Sequence, residues 1–151
     1  MKPGIHTSQW REYSFEATAA ERAWLAREEA LERDPNWRTF LELCFPETGR
    51  AEPDVLRAGV GHLQVAAECG HALAQHRLAM ELHTGKGRLG LAEDAAMAAT
   101  WYAAAADNGH PAAVMHLAML YAAHPEVPRE HAGAGEYLDA FLRRVAASAR
   151  A

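Results

Sequence analysis

The chain has 151 residues, half of them hydrophobic, and carries a formal net charge of −5. A chain of this length can build one compact domain with a substantial core. It contains no basic run, and no apolar run approaches the roughly 18 residues of a membrane span. These features argue against a nucleic acid or a membrane as partner. The N-terminus lacks the apolar core of a signal peptide, so we expect a cytoplasmic protein.

The first 50 residues predict two helices behind a short arm. Residues 1–13 are expected to be poorly ordered or loosely docked. Thr18 and Glu21 have capping-box spacing, so the first helix should begin near Ser14 or Thr18 and end at Asp34, before a proline. Its expected apolar stripe is Ala20, Trp24, Leu25 and Leu31. A second helix, over about residues 36–44, carries Trp37, Phe40, Leu41 and Cys44 at helical spacing.

Residues 46–53 contain two prolines and form the clearest linker in the chain. We place a boundary here, between an N-terminal helical extension (1–50) and a second unit (51–151). Cys44 and Cys69 lie on apolar segments and in no zinc or C-x-x-C pattern, so we expect two buried free thiols. A disulfide between them would require an oxidising compartment.

From residue 54 onward the sequence repeats with an offset of 39 positions. Residues 70–80 read GHALAQHRLAM, and residues 109–119 read GHPAAVMHLAM. A period in this range indicates a helical repeat array. Gly70 and Gly109 stand where a helix C-terminus favours the left-handed conformation, and Pro111 is expected in the first turn of the next helix.

One unit of this repeat follows the pattern of a helix, a Gly-x-Gly loop and a second helix. The next unit continues the pattern more weakly. These positions are Ala74, Leu78, Leu82, Gly85, Gly87, Asp94, Ala98, Trp101, Tyr102, Gly109, Leu117, Tyr121 and Tyr137. The pattern resembles the Sel-one-like repeat family, relatives of the tetratricopeptide repeats, over roughly residues 54–147. The resemblance implies an all-α fold, namely a short right-handed superhelical solenoid of antiparallel helix pairs, here with N-terminal accessory helices. It also implies a scaffold that brings proteins together, such as a bacterial adaptor or toxin-immunity protein.

The first helix of each unit would line the concave face of such a solenoid. The residues on the side away from the core, the predicted stripe, are Leu73, His76, Met80, His83, Ala112, Met115, Met119 and Ala122. Methionine packs adaptably, so this stripe suits a helix or loop of a partner protein. Two alternatives stay open. The N-terminal helices could fold back and bury the stripe, or it could contact another copy of the chain.

No motif for catalysis or cofactor binding is found among the sequence patterns. His76 and His83 lie two turns apart, wider than the i,i+4 pair of helical zinc sites, so we predict no metal site and no cofactor. Gly85 and Gly87 flank a lysine and superficially suggest anion binding, but they match the family's inter-helix loop. Asp94 is interpreted as opening the following helix, and Trp101, Tyr102 and Tyr121 as wedges between helices.

The resemblance also extends to members with penicillin-binding or β-lactamase activity, which carry disulfides at repeat spacing. Cys44 and Cys69 do not fit that arrangement. We therefore expect a protein-interaction module and not an enzyme. A hydrolase-type enzyme of the repeat-containing class is the alternative. The sequence predicts neither the partner's identity nor the oligomeric state.

Overall fold

A computed structural model describes residues 18–85 and 87–150, and this part of the chain is all-α, as predicted. Its seven helices are α1 (Ala19–Leu31), α2 (Pro35–Cys44), α3 (Pro53–Glu68), α4 (Ala72–Thr84), α5 (Ala95–Asp107), α6 (Ala113–Ala123) and α7 (Ala132–Ala149). The predicted arm over residues 1–13 and the possible helix start at Ser14 lie outside the described residues. Within those residues, no helix combines the length and apolar character needed to cross a membrane.

Side-chain caps set the beginnings of the first two helices. The capping box at α1 is confirmed, because the Glu21 N–H donates to Thr18 Oγ1 (3.2 Å) and the Thr18 N–H donates to Glu21 Oε2 (3.1 Å). The Asp34 carboxylate caps α2 by accepting from the Trp37 N–H at 3.0 Å, and Pro35 occupies the first helical position. α1 itself ends at Leu31, three residues before the predicted end.

The helices pack on one another largely in chain order. Contacts are most extensive between α2 and α3 and between α4 and α5, followed by α6 with α7, α3 with α4, and α5 with α6. The predicted boundary between residues 50 and 51 falls in the connection between α2 and α3. By contrast, α1 has few contacts with α4 and makes no extensive contact with any other helix.

Two adjoining hydrophobic clusters hold the helices together. One is built around Phe40, Cys44 and Leu63, and the other around Leu117 and Leu120, all fully buried. Leu82 and Trp101 are half-buried and pack against both clusters. The predicted position of Trp101 between helices is thereby confirmed.

The two glycine turns predicted at the ends of α3 and α5 are left-handed, with φ of +89° at Gly70 and +87° at Gly109. Their hydrogen bonds match at the same offset of 39 positions. The His71 N–H donates to the Ala66 carbonyl at 3.1 Å, and the His110 N–H donates to the Ala105 carbonyl at 2.9 Å. Pro111 lies in the turn before α6 and not within its first turn, since that helix begins at Ala113.

Three expectations about burial are corrected. The predicted stripe of α1 is not buried as a whole: Trp24 is buried, but Ala20 and Leu25 are exposed because α1 touches the body along only part of its length. Leu41 on α2 is also exposed. Of the two cysteines, both free, Cys44 is buried but Cys69 is exposed, since it caps the end of α3 at the surface.

Candidate functional site

Three histidines from three neighbouring segments meet in one stack. The ring of His76 on α4 lies on the ring of His110, which precedes α6, with centroids 3.9 Å apart and planes at 13°. The ring of His116 on α6 also stacks on the ring of His76, with centroids 4.9 Å apart. His76 Nε2 and His116 Nδ1 are 2.7 Å apart and share one proton, because one nitrogen must donate and the other accept. We call these three residues the histidine stack.

The stack is organised for neutral rings. His110 Nδ1 accepts a hydrogen bond from the Ala112 N–H at 3.2 Å, which a ring protonated at that nitrogen cannot do. Burial, with the nearby His116, lowers the pKa of His110 to about 4. Burial, followed by the positive charges that His110, His116 and Arg77 would present, lowers the pKa of His76 to about 3.

Tyr102 on α5, His83 on α4 and His124 at the end of α6 extend the histidine stack into a longer polar row. The Tyr102 ring lies beside both His76 and His116, and burial raises the pKa of its hydroxyl to about 12. Its Oη is 3.3 Å from Nδ1 of His83, whose pKa is lowered mainly by burial. The His83 ring in turn packs edge-on against His124, with centroids 6.0 Å apart.

Among the described residues, no group of three or more His, Cys, Asp and Glu side chains is arranged to hold a metal ion.

Helix α1 covers one end of the histidine stack. Trp24 packs edge-to-face on His110, with centroids 5.2 Å apart, and is the one buried residue of the helix. Arg27 Nη1 donates to the Asn108 carbonyl at 2.7 Å. The Asn108 amide donates to Gln75 Oε1 at 2.9 Å, so this contact reaches the buried interior. α1 is thus attached at the start of α4 and α6, where the stack lies.

A second feature is an open cleft of about 560 Å³ between α6 and α7. Its lining is apolar throughout: Met115, Ala118, Met119, Ala122, Ala123, Tyr137, Leu138 and Phe141. We call it the α6–α7 cleft. A neighbouring hollow of about 480 Å³ shares Tyr137 and Phe141 and continues to Arg144, Val145 and Ser148. Other hollows of comparable size, of about 610 and 630 Å³, are lined partly by charged residues such as Glu29, Arg33 and Arg50.

The apolar surface of the α6–α7 cleft is exposed to an unusual degree. Met119 is 58% exposed, Met115 39% and Phe141 49%. Residues 141–149 of α7 are all exposed, and Leu142 and Val145 are among them. Glu136, Asp139, Arg143 and Arg144, which the sequence predicts on a polar outer side of this helix, are all exposed. A second face of the same helix leaves the large apolar side chains of Phe141, Leu142 and Val145 uncovered.

The structure divides the predicted stripe between these two features. Met115, Met119 and Ala122 line the α6–α7 cleft. His76 and His83 belong to the polar row, bonded within the protein. Met80 is 38% exposed, whereas Leu73 and Ala112 are half-buried. Helix α1 contacts His110, the stacking partner of His76, and leaves Met80, Met115 and Met119 of the stripe exposed.

Six of the thirteen predicted structural positions are buried. Those that are buried are Ala74, Leu78, Ala98, Tyr102, Leu117 and Tyr121. Asp94 caps α5 by accepting from the Met97 N–H at 3.0 Å, and Gly85 caps α4 with φ of +64°. Gly87 leaves room for the buried Glu81 carboxylate. Tyr137 differs, because it is 39% exposed and lines the α6–α7 cleft.

Comparison with family models, with curated proteins and with solved structures gives no match to this chain.

Two groups of residues at these features are not predicted from the sequence. His110 and His116 join His76 although their repeat positions differ, and only the register between α4 and α6 brings them together. Phe141 and Val145 extend the cleft along α7. Their spacing of four residues marks an apolar face, but nothing in the sequence shows that this face stays uncovered.

Proposed function

We propose that this protein is an interaction module that binds the apolar face of a partner protein's helix in the α6–α7 cleft. The observation that carries this proposal is the contiguous exposure of Met115, Met119 and Phe141. Large apolar side chains exposed side by side commonly mark a surface that another protein covers. Methionines suit such a role because their flexible thioethers adapt to an irregular apolar surface.

The dimensions of the surface suit a short helix. From Tyr137 to Ser148 the apolar face of α7 advances by about 16 Å, at 1.5 Å per residue, which corresponds to about three helical turns. A partner helix would present residues at i, i+3, i+4 and i+7 to it.

Charge indicates the chemistry at the rim. Residues 140–150 contain Arg143, Arg144 and Arg150 and no acidic residue, and Arg144 lines the hollow that extends the cleft. A partner helix with carboxylates at the end that lies over this segment would be complementary, which favours fast association and correct orientation. The proposed occupant is therefore an amphipathic helix with an acidic end.

We further propose the short, right-handed solenoid that the Sel-one-like resemblance implies. Support comes from packing of the helices in chain order and from the two glycine turns with matching hydrogen bonds. In a cytoplasmic, bacterial setting, such a module would act as an adaptor or as a toxin-immunity protein. The partner identity would distinguish these two roles.

The histidines do not favour an enzymatic role. A general acid or base works best with a pKa near the working pH. The pKa values of His76 and His110 lie at about 3 and about 4, far below neutrality. Their rings bond to each other or to the backbone and hold helices together, which is a structural task.

A site-specific photo-cross-linker tests the proposal. A benzophenone amino acid replaces Met119 in the cleft, and in a matched control it replaces Leu25 on α1, since these side chains are 58% and 57% exposed. Irradiation in the native host should give a discrete cross-linked protein from position 119 and none from position 25. An identical cross-linking pattern from both positions, or no adduct from position 119, would contradict the proposal.

A further inference from the structure

We propose that α1 is a pH-dependent latch, closed on the histidine stack when its imidazoles are neutral and released when they are protonated. This inference goes beyond the proposed function and does not depend on it, since the closing and opening of α1 can be measured without a partner.

The attachment of α1 is small and local. Of its thirteen residues, Trp24 is buried and Glu28 and Leu31 are half-buried, while the rest are exposed. Its contacts with the other described helices include the Trp24 ring on His110, the Arg27 hydrogen bond to Asn108, and a hydrogen bond of 2.7 Å from His71 Nε2 to the Leu31 carbonyl. A helix held by so little buried surface can open locally while the rest of the protein stays folded.

Hydrogen bonds to the backbone fix both imidazoles that contact α1. His71 Nε2 donates to the Leu31 carbonyl, and its Nδ1 accepts from the Ala74 N–H at 3.1 Å. His110 Nδ1 accepts from the Ala112 N–H at 3.2 Å. A proton on Nδ1 of His110 removes that hydrogen bond and leaves the Ala112 N–H unpaired.

The surroundings of His110 offer little to compensate a positive charge. Among the described residues, the charged and titratable groups beside the stack are Arg27 from α1, Arg77 and His83 from α4, and Tyr102 from α5. Glu28 on α1 is half-buried, and at the end of α5 the Asp107 carboxylate is engaged by His131 Nε2 at 3.2 Å. Protonated rings at His110 and His76 would face each other at 3.9 Å, beside Arg27 and Arg77.

Opening of α1 makes the surroundings of His110 less unfavourable for a positive charge on its ring. When Trp24 leaves, the exposed face of His110 meets water, which stabilises its charged form. With a pKa of about 4 in the closed state and about 6.5 in a fully solvated state, the ratio of closed to open protein falls by up to about 70-fold between pH 7.5 and pH 4.5.

Hydrogen exchange resolved by segment tests the latch. After correction for the intrinsic pH dependence of exchange, the amides of α1 should exchange at least about tenfold faster at pH 4.5 than at pH 7.5, relative to those of α3 and α5. The variant His110→Gln should lose most of this difference. The control His62→Gln should keep it, because His62 bonds to Asn36 and lies away from α1. Loss of protection in all helices together, or an unchanged difference in His110→Gln, would overturn the proposal.

A reciprocal measurement covers the case in which His110→Gln folds poorly. If closing of α1 depresses the pKa of His110, then the variant Trp24→Ala, in which α1 is undocked, must raise that pKa from about 4 to about 5 or higher. The imidazole resonances of His110, followed by NMR against pH, give this value directly. An unchanged pKa of His110 in Trp24→Ala would show that α1 and the stack are not coupled.

Discussion

The rings of His76 and His110 stack at 3.9 Å although the two residues come from different helical segments. A proton on either ring would place a positive charge in a buried site, where neighbouring histidines also disfavour it. This contact joins α4 to the start of α6, and through Trp24 it also reaches α1. It therefore couples the packing of three segments to the protonation of two side chains.

The free energy of unfolding should fall as the pH falls below about 6.5. The folded-state pKa values of His76 and His110, about 3 and about 4, lie below the ordinary value of 6.5, so folding favours the neutral rings. This stabilisation is fully present above about pH 6.5 and is lost as the pH falls toward the folded-state values. After allowance for solvent screening, we expect a loss of about 2–4 kcal/mol between pH 7 and pH 4. Urea melts over this range measure it.

A double variant tests whether His76 and His110 cause this loss of stability at low pH. His76→Asn/His110→Asn removes both titrating groups, so its stability should decline less steeply over the same pH range, whatever its stability at pH 7. A profile parallel to that of the wild type would show that other groups cause the acid sensitivity.

Trp101→Ala should destabilise the protein by about 2–4 kcal/mol. The side chain packs against both hydrophobic clusters, and its removal leaves a cavity between them. Met97→Ala on the same helix is the control, since Met97 is 47% exposed and should change stability by less than about 1 kcal/mol. Chemical denaturation compares the two. Equal effects would mean that Trp101 does not connect the clusters.

Gly85 and Gly90 have similar left-handed φ angles but differ in the space available for a Cβ atom. Substitutions at these two positions therefore distinguish backbone strain from a steric clash. Gly85 has φ of +64°, and a Cβ there would lie 2.6 Å from the Glu93 backbone Cα. Gly90 has φ of +71° and nothing within 4 Å of such an atom. Gly90→Ala should therefore cost about 1 kcal/mol from strain alone, and Gly85→Ala about 2–4 kcal/mol. Thermal melts report the difference, and similar losses for both variants would refute the close approach at Gly85.

The two thiols should react at very different rates. Cys69 is exposed, whereas Cys44 is buried and burial raises the pKa of its thiol. A thiol reagent added to the native protein should therefore modify one cysteine quickly and the second only after denaturant is added. Rapid reaction of both thiols in the native state would contradict the burial of Cys44.

Local rules predicted the helices and their ends well. The capping box at Thr18, the cap at Asp94 and the left-handed Gly70 and Gly109 depend on residues within one turn, so the sequence alone carries that information. The seven helices follow from such signals together with the apolar spacing.

Features that depend on contacts between helices were harder to predict. Spacing marks Leu25 as part of an apolar stripe, but whether a stripe is buried depends on how far the helix touches its neighbours. The same reason explains the exposed Phe141 and the wrongly predicted burial of Cys69. The meeting of His76 with His116 depends on the register of α4 against α6, which is set by the whole core.

The most direct test of the α6–α7 cleft as a binding surface is an affinity measurement with the protein recovered by cross-linking at position 119. Calorimetric titration would compare the wild type with Met119→Glu and with Leu25→Glu, two changes at nearly equally exposed positions that should leave folding intact. A charge buried unpaired in an apolar contact opposes binding, so Met119→Glu should raise the Kd by at least about tenfold, or about 1.4 kcal/mol. Leu25→Glu should leave the Kd unchanged. Equal Kd values for wild type and Met119→Glu, or equal losses in both variants, would contradict binding in the cleft.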